Sequence, residues 1–330
     1  MHPSRVTTLL PAALDIRRPL LDSTDVSVYR LVDGSGDRLE GLYLDRYGPA
    51  AVISVYDDAA LDDEALTMVS GVALEQLAPF GVESIYVKRF MRDRSRLGGQ
   101  APAETRAAVP RAGVPQPETM VVREYGSRFE VRLYDGFSTG LFLEHREHRR
   151  SLAQLGARRA LNLFAYTCAF AVPLVASGAH VSNVDVSSRY LAWGRRNLEV
   201  NGLPADRARF SRMDAFAYLA WAAKRPAERY DLVVLDPPTF AAGDAREKRR
   251  AWKAVSDYPA LVRAAVEVLA PGGRIFAASN TRELASAGAL ARIVEGAIGR
   301  ERLRWEPLPP WPIDVREPGR VDAVLFSVAR

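Results

Sequence analysis

The chain has 330 residues, 48% hydrophobic and 26% charged, a make-up that fits an ordinary globular protein and excludes a disordered or fibrous one. One cysteine and four histidines exclude a disulfide framework and a clustered Cys/His zinc site, and no apolar run approaches the length needed to span a bilayer. The expectation is therefore a protein of the reducing cytoplasm without a metal, and its net charge of +5 suits a polyanionic partner.

The length predicts two domains. Residues 1–25 read as an N-terminal extension. From Val26 the residues VSVYRLV, LEGLYLDRYG and AAVISVY alternate as short strands, with the turn residues DGSGD between the first two. A helical period follows in DDEALTMVSGVALEQL, and SIYVKRF returns to strand, so residues 26–134 predict a small α+β domain without βα alternation. Residues 91–118, rich in Pro, Gly, Ala and Arg, read as a loop, and MVVREYGSRFEVRLYDG as a hairpin turning at Tyr125 to Ser127.

From residue 135 to 330 the pattern becomes apolar strand, helix, apolar strand, helix. The strands are ALNLF, HVSNVDV, RARFSRM, YDLVVLD and GRIFAAS; helices are predicted up to Leu269 and over Glu283 to Ile298, with a closing antiparallel pair at LRWEPLPP and VDAVLFSVAR. Parallel strands need crossovers, so this alternation predicts a doubly wound α/β sheet of Rossmann-like type.

In such a sheet, ligands bind beyond the carboxyl ends of the strands. The first strand is followed by AYTCAF, without the glycines that let a backbone approach a pyrophosphate, so a cofactor without phosphate is expected and a nicotinamide enzyme is not. Asp185, followed by Val186, ends the second strand, where a carboxylate can accept from both hydroxyls of a ribose or can cap a helix. Asp214, followed by Ala215, ends the third, where it can accept from an adenine amino group or serve as an N-cap. Asp236, Pro237, Pro238, Thr239 and Phe240 follow the fourth strand. Two prolines fix that backbone and remove two N–H donors, so carbonyls and a carboxylate face the cleft, and Phe240 can stack on an extruded base.

The runs TGLFLEHR, LNLFAYT, VDVSSRYLAWGRRNLEVNGL, YDLVVLDPPTF and the SN of AASN resemble the class I methyltransferase domain of bacterial large-subunit (23S) ribosomal RNA methyltransferases, in particular the guanine-N7 half of a bifunctional enzyme. The run VYRLVDGSGDRLEGLYLDRYG resembles the central domain of the cytosine-C5 enzymes. Too few residues precede Val26 for the small RNA-binding domain that opens those proteins. The resemblance implies S-adenosylmethionine as cofactor, lying along Phe164, Ala165, Tyr166 and Thr167, with its ribose on Asp185, its adenine at Asp214 and its amino group near Asp236. His145 and Arg146 would border the same site. Where that family often has Gly, this chain has Cys168.

Three basic stretches are candidates for following an RNA backbone: Arg89, Arg92, Arg94 and Arg96; Arg146, Arg149 and Arg150; and Arg246, Lys248, Arg249, Arg250 and Lys253, with Trp252 interleaved as a stacking aromatic. The last adjoins the reaction cleft. Methylation of cytosine C5 requires a cysteine thiolate that adds to the ring, whereas N7 of guanine already offers a lone pair. Position 280, where the C5 route would place its cysteine, is Asn280, a residue able to hydrogen-bond a base edge. The reading is nitrogen methylation of an RNA base, guanine first, in 23S rRNA or an assembling large subunit. The alternatives are cytosine C5, a protein or small-molecule acceptor, and a non-catalytic RNA-binding module.

Overall fold

The computed structural model describes residues 1–91, 109–136, 138–243, 251–286, 288–317 and 319–329. The chain divides into two compact units, Met1–Arg146 with Trp311–Glu317, and Glu147–Pro310 with Pro318–Arg330.

The first unit opens with helices α1 (Pro3–Ile16) and α2 (Arg18–Leu21). Residues 1–25 are therefore more than an appendage. Val6, Leu10, Ala13 and Leu14 form one stripe of α1 and are buried with Leu20 and Leu21 in the core of this unit. The stripe is hard to read because Pro11 falls inside it. Strands β1 (Val28–Asp33), β2 (Leu42–Tyr47) and β3 (Ala50–Tyr56) form an antiparallel meander; helix α3 (Asp63–Leu77) then leads to β4 (Ser84–Phe90), which pairs with β3 in parallel. The domain thus contains a βαβ unit that the sequence reading excludes, because one crossover is too short a pattern to register as alternation. Strand β5 (Ala112–Gly113) adds antiparallel to β4. Strands β6 (Met120–Glu124) and β7 (Ser127–Val131) form the predicted hairpin, turning on Tyr125 and Gly126 with φ of 47° and 80°, the left-handed pair of a two-residue turn.

Buried charge ties this unit together. The Arg17 guanidinium forks onto Asp37 with both bonds at 2.6 Å, and Arg30 bonds Asp45 at 2.7 Å and Asp33 at 2.8 Å. Arg146 grips both oxygens of Asp314, one of them at 3.2 Å, and Asp314 also accepts from Arg30 N at 2.8 Å. Asp33 accepts from Arg316 N and Glu317 N at 2.6 and 2.7 Å. These bonds draw Trp311–Glu317 into the first unit, and they explain why the division falls at Arg146 rather than near Tyr134: partners 168 and 284 positions apart leave no local signal.

The second unit begins with α4 (Arg146–Ala153), whose first residue still belongs to the first. It continues β8 (Arg159–Leu163), α5 (Ala171–Ala176), β9 (His180–Asp185), α6 (Ser188–Glu199), β10 (Ala208–Arg212), α7 (Ala215–Ala223), β11 (Tyr230–Leu235), the short β12 (Phe240–Ala241) and β13 (Trp252–Lys253), α8 (Ala254–Val266), β14 (Leu269–Ser279), α9 (Ala289–Ile298), β15 (Leu303–Glu306) and β16 (Asp322–Val328). The seven-stranded sheet runs β10-β9-β8-β11-β14-β16-β15, parallel as far as β14 and antiparallel at β16 and β15, as the closing pair predicts. Alternate residues Leu161 and Leu163, Val233 and Leu235, Ile275 and Ala277 share one apolar cluster with α7, α8 and α9. Two helix boundaries differ from expectation. Helix α8 stops at Val266, and α9 starts at Ala289 because its N-cap Gly288 is left-handed at φ 73°.

On α6, Gly194 admits the loop that follows β8: a Cβ there would lie 2.3 Å from Cys168 Sγ. Overpacking of this kind costs about 1–3 kcal/mol, more than the roughly 1 kcal/mol by which Ala exceeds Gly in a helix. Gly194→Ala is expected to lower the thermal midpoint, and Cys168→Gly in the same chain to restore it. Removal of one partner from a buried ion pair leaves the other uncompensated, at about 3–5 kcal/mol. Arg146→Met is expected to lose stability on that scale in urea denaturation, with part of the loss recovered by adding Asp314→Asn, which removes the unpaired charge and keeps an acceptor for Arg30 N.

Candidate functional site

The loop after β8 carries three non-glycine residues in the left-handed region, Phe164, Tyr166 and Cys168, with φ of 54°, 49° and 59°. Such residues cost of order 1–3 kcal/mol each and persist where their surroundings over-determine them. Here Ala165 N donates to Val184 O at 3.0 Å, Tyr166 N to Asp185 Oδ2 at 2.9 Å, and Asn197 Nδ2 to Thr167 O at 2.9 Å. The Tyr166 ring packs edge-on to Tyr190, with centroids 4.4 Å apart. Thr167 is fully buried, so it anchors the loop. Cys168 is buried too, and that burial pushes its thiol far above the usual range, leaving it protonated at neutral pH.

Asp185, half-buried at the end of β9, accepts from Ser187 N through Oδ1 at 2.8 Å and from Tyr166 N through Oδ2 at 2.9 Å. Ser187, not Asp185, caps α6. A carboxylate oxygen can accept more than one hydrogen bond, the chemistry that meets a pair of vicinal hydroxyls. Val186 beside it accepts from Arg212 Nε through its carbonyl at 3.2 Å. Asp214 caps α7: its Oδ1 takes Phe216 N at 2.9 Å and Ala217 N at 3.2 Å, with Ala215 buried between them. The cap and a ligand role are compatible, because both bonds fall on one oxygen.

After β11, Asp236 is half-buried, Pro237 buried, and Pro238, Thr239 and Phe240 exposed, Phe240 at 58%. The loop is fastened by side chains. Thr239 Oγ1 donates to Asn280 Oδ1 at 3.3 Å, which leaves the Asn280 amide NH2 as a donor beyond the end of β14. Tyr258 OH reaches Leu235 O at 3.4 Å and Ala278 O at 2.7 Å, joining the ends of β11 and β14. Trp252 is 4% exposed with its indole N–H on Pro238 O. It is therefore not the RNA-stacking aromatic that its basic neighbours suggest. Its position opposite Ala241 in the β12–β13 pair turns it inward.

Two further groups of residues were singled out in the sequence. His145 and Arg146 are 2% and 1% exposed within the first unit, where Arg146 is committed to Asp314 and His145 lies 6.3 Å from the Trp311 ring. The LEHR run closes the first unit, with Arg146 held in its buried ion pair. Of the basic stretch, Arg246, Lys248, Arg249 and Arg250 lie outside the described residues, as do Arg92, Arg94 and Arg96; Lys253 is exposed. Sequence reasoning missed Asn197 and Tyr258, whose roles depend on what they touch. The N-cap Ser187 was legible in DVSS.

Three carboxylates, Asp185, Asp214 and Asp236, thus follow three of the parallel strands β9, β10 and β11. Acceptor groups of one sign repel phosphate and suit hydroxyls and amines. The residues fit a nucleoside that bears an amine and no phosphate, and S-adenosylmethionine is such a molecule.

Comparison with known proteins gives the same answer. A family model described as S-adenosylmethionine-dependent methyltransferase matches residues 102–326. Ribosomal RNA large subunit methyltransferase K/L of Pseudoalteromonas translucida is 32% identical over 269 residues, 79% of this chain and 36% of that protein. Methyltransferase K of the same series from Neisseria meningitidis serogroup B is 34% identical over 221 residues, 66% of this chain and 56% of that one. Methyltransferase I from Aeromonas salmonicida is 32% identical over 267 residues, 80% and 63%. The chain therefore spans less than two thirds of the length of each of these relatives. The solved structure of SMU.776 complexed with SAH superposes with a TM-score of 0.83 at 25% identity, covering 99% of this chain and 82% of that one. With the match extending over most of its length, the chain belongs to the S-adenosylmethionine-dependent methyltransferase family.

Proposed function

We propose that this protein transfers a methyl group from S-adenosylmethionine to a ring nitrogen of an RNA base, N7 of guanine in large-subunit ribosomal RNA, and that it works in the cytoplasm. The relatives named for ribosomal RNA support the acceptor class. The observation that carries the choice of atom is the thiol. Cytosine C5 needs a cysteine thiolate that adds covalently to the ring. The chain's one cysteine is fully buried in the cofactor loop and held protonated, and Asn280 stands beside the acceptor loop instead.

When bound, S-adenosylmethionine supplies an electrophilic methyl group on a sulfonium. Phe164 to Thr167 and Asp185 hold the nucleoside, and Asp214 keeps one oxygen for the adenine amine. Phe240 stacks on the extruded base, and the Asn280 NH2 donates to guanine O6, which presents N7 to the methyl group. The N7 lone pair would form the bond to the methyl carbon as the carbon–sulfur bond breaks and its electron pair returns to sulfur, giving S-adenosylhomocysteine; no proton leaves N7, so no general base is required. The purine becomes cationic, and the Asp236 carboxylate stabilises that developing charge. Lys253, exposed next to the loop, meets the RNA backbone.

The test is methyl transfer from tritiated cofactor to RNA of a strain lacking the gene, followed by mass spectrometry of the nucleosides. N7-methylguanosine is the expected product, and 5-methylcytidine would sink the reading. Cys168→Ala should keep most activity, while Asp236→Ala should lose about a hundredfold, the scale of a misaligned reacting pair. Asp185→Ala removes an acceptor whose hydrogen bonds contribute about 1.5–3 kcal/mol each, so calorimetry should find S-adenosylhomocysteine bound at least about tenfold more weakly.

A further inference from the structure

Trp252 is a large buried aromatic that the functional reading leaves without a task, yet it lies against the loop after β11, the loop after β8 and the start of α7. Its Nε1 donates to Pro238 O at 2.6 Å. Its ring lies 5.5 Å from Phe164 of the cofactor loop, 6.2 Å from Phe216 at the start of α7 and 6.3 Å from Tyr258, whose hydroxyl joins the ends of β11 and β14. Two residues on, Ala254 N donates to Thr239 O at 3.1 Å.

The acceptor loop needs such a partner. Pro237 and Pro238 have no N–H, so that stretch can be fastened through its carbonyls only. An indole is a donor without acceptor capacity, carried on a rigid apolar body. One side chain therefore satisfies the Pro238 carbonyl and fills the space against Phe164.

We infer that Trp252 is a positioning residue that sets the Pro238 carbonyl, and with it Asp236 and Phe240, against the cofactor loop. The inference rests on the reading of Asp236–Phe240 as the acceptor loop. It locates in one indole N–H the alignment of methyl donor and acceptor.

Trp252→Phe keeps an aromatic body and removes the N–H. Three readouts on the full chain decide the matter. S-adenosylhomocysteine affinity is expected to stay within about threefold of the parent, while kcat for RNA methylation falls about thirtyfold, since displacement of an aligned group by a fraction of an ångström costs rate rather than binding. Amide exchange in the peptide spanning Asp236–Ala241 should speed up about tenfold, with the Tyr166 peptide unchanged as an internal control of the fold. A kcat within threefold of the parent, or unchanged exchange at Asp236–Ala241, would overturn the inference. Equal losses of cofactor affinity and activity would also overturn it, because Trp252 would then be a general support. If the parent itself transfers no methyl group to RNA, the acceptor reading fails and takes the inference with it, a result distinct from an active parent matched by its variant.

Discussion

The carboxylate of Asp185 accepts from Tyr166 N on one oxygen and Ser187 N on the other, and the ends of β8 and β9 are arranged around those two bonds. One fixes the loop after β8, the other the entry to α6. Both strand ends are thereby brought to a single carboxylate. A loop with left-handed φ at Phe164, Tyr166 and Cys168 would relax if it were free to do so. Its strain is offset by backbone bonds at Ala165, Tyr166 and Thr167, and by aromatic packing of Tyr166 on Tyr190. Phosphate-binding loops reach similar shapes with glycine. Here side chains stay and pack, which makes the loop a wall of the site as well as its floor.

That difference also explains what the sequence disclosed. The apolar strands β8, β9, β10, β11 and β14 are short, buried and separated by helical periods, so their order was legible, and with it the residues at their carboxyl ends. Asp185, Asp214 and Asp236 were singled out by position, because ligands of a doubly wound sheet bind beyond the carboxyl ends of its strands. Residues whose meaning comes from a distant partner were not legible. Arg146 sits in a basic run that resembles part of a cofactor site, and only Asp314 shows that it belongs to a buried pair. Trp252 sits among arginines and lysines and looks like a stacking aromatic, until its pairing opposite Ala241 turns it inward. The helix α1 was obscured by Pro11, a breaker that is tolerated because it lies on the exposed side.

The two units use aspartate in opposite ways. In the first, Asp33, Asp37, Asp45 and Asp314 are buried against Arg17, Arg30 and Arg146, and the outcome is a network with no carboxylate left for a ligand. Burial of such pairs is weak evidence for stability, but removing either half is costly because the other is left uncompensated. In the second, Asp185, Asp214 and Asp236 are only half-buried, and Asp185 and Asp214 accept from backbone N–H groups rather than from buried guanidinium groups.

This placement of charge bears on how an RNA substrate would be sorted within the proposed reaction. The chain is cationic overall, at +5, yet the ends of β9, β10 and β11 are carboxylate-rich. A polyanionic backbone is drawn to the cationic surface and repelled from the cleft, with the repulsion strongest where low-dielectric walls focus the field. The part of a nucleotide that can enter without carrying phosphate inward is the base, once unstacked and turned out. Phe240, exposed at the rim, offers it a face to stack on, and a purine that gains positive charge on methylation enters a field that favours it. In the proposed reaction the same carboxylates would disfavour phosphate at the cofactor side and favour a base over its backbone at the acceptor side, so one electrostatic arrangement would serve both substrates.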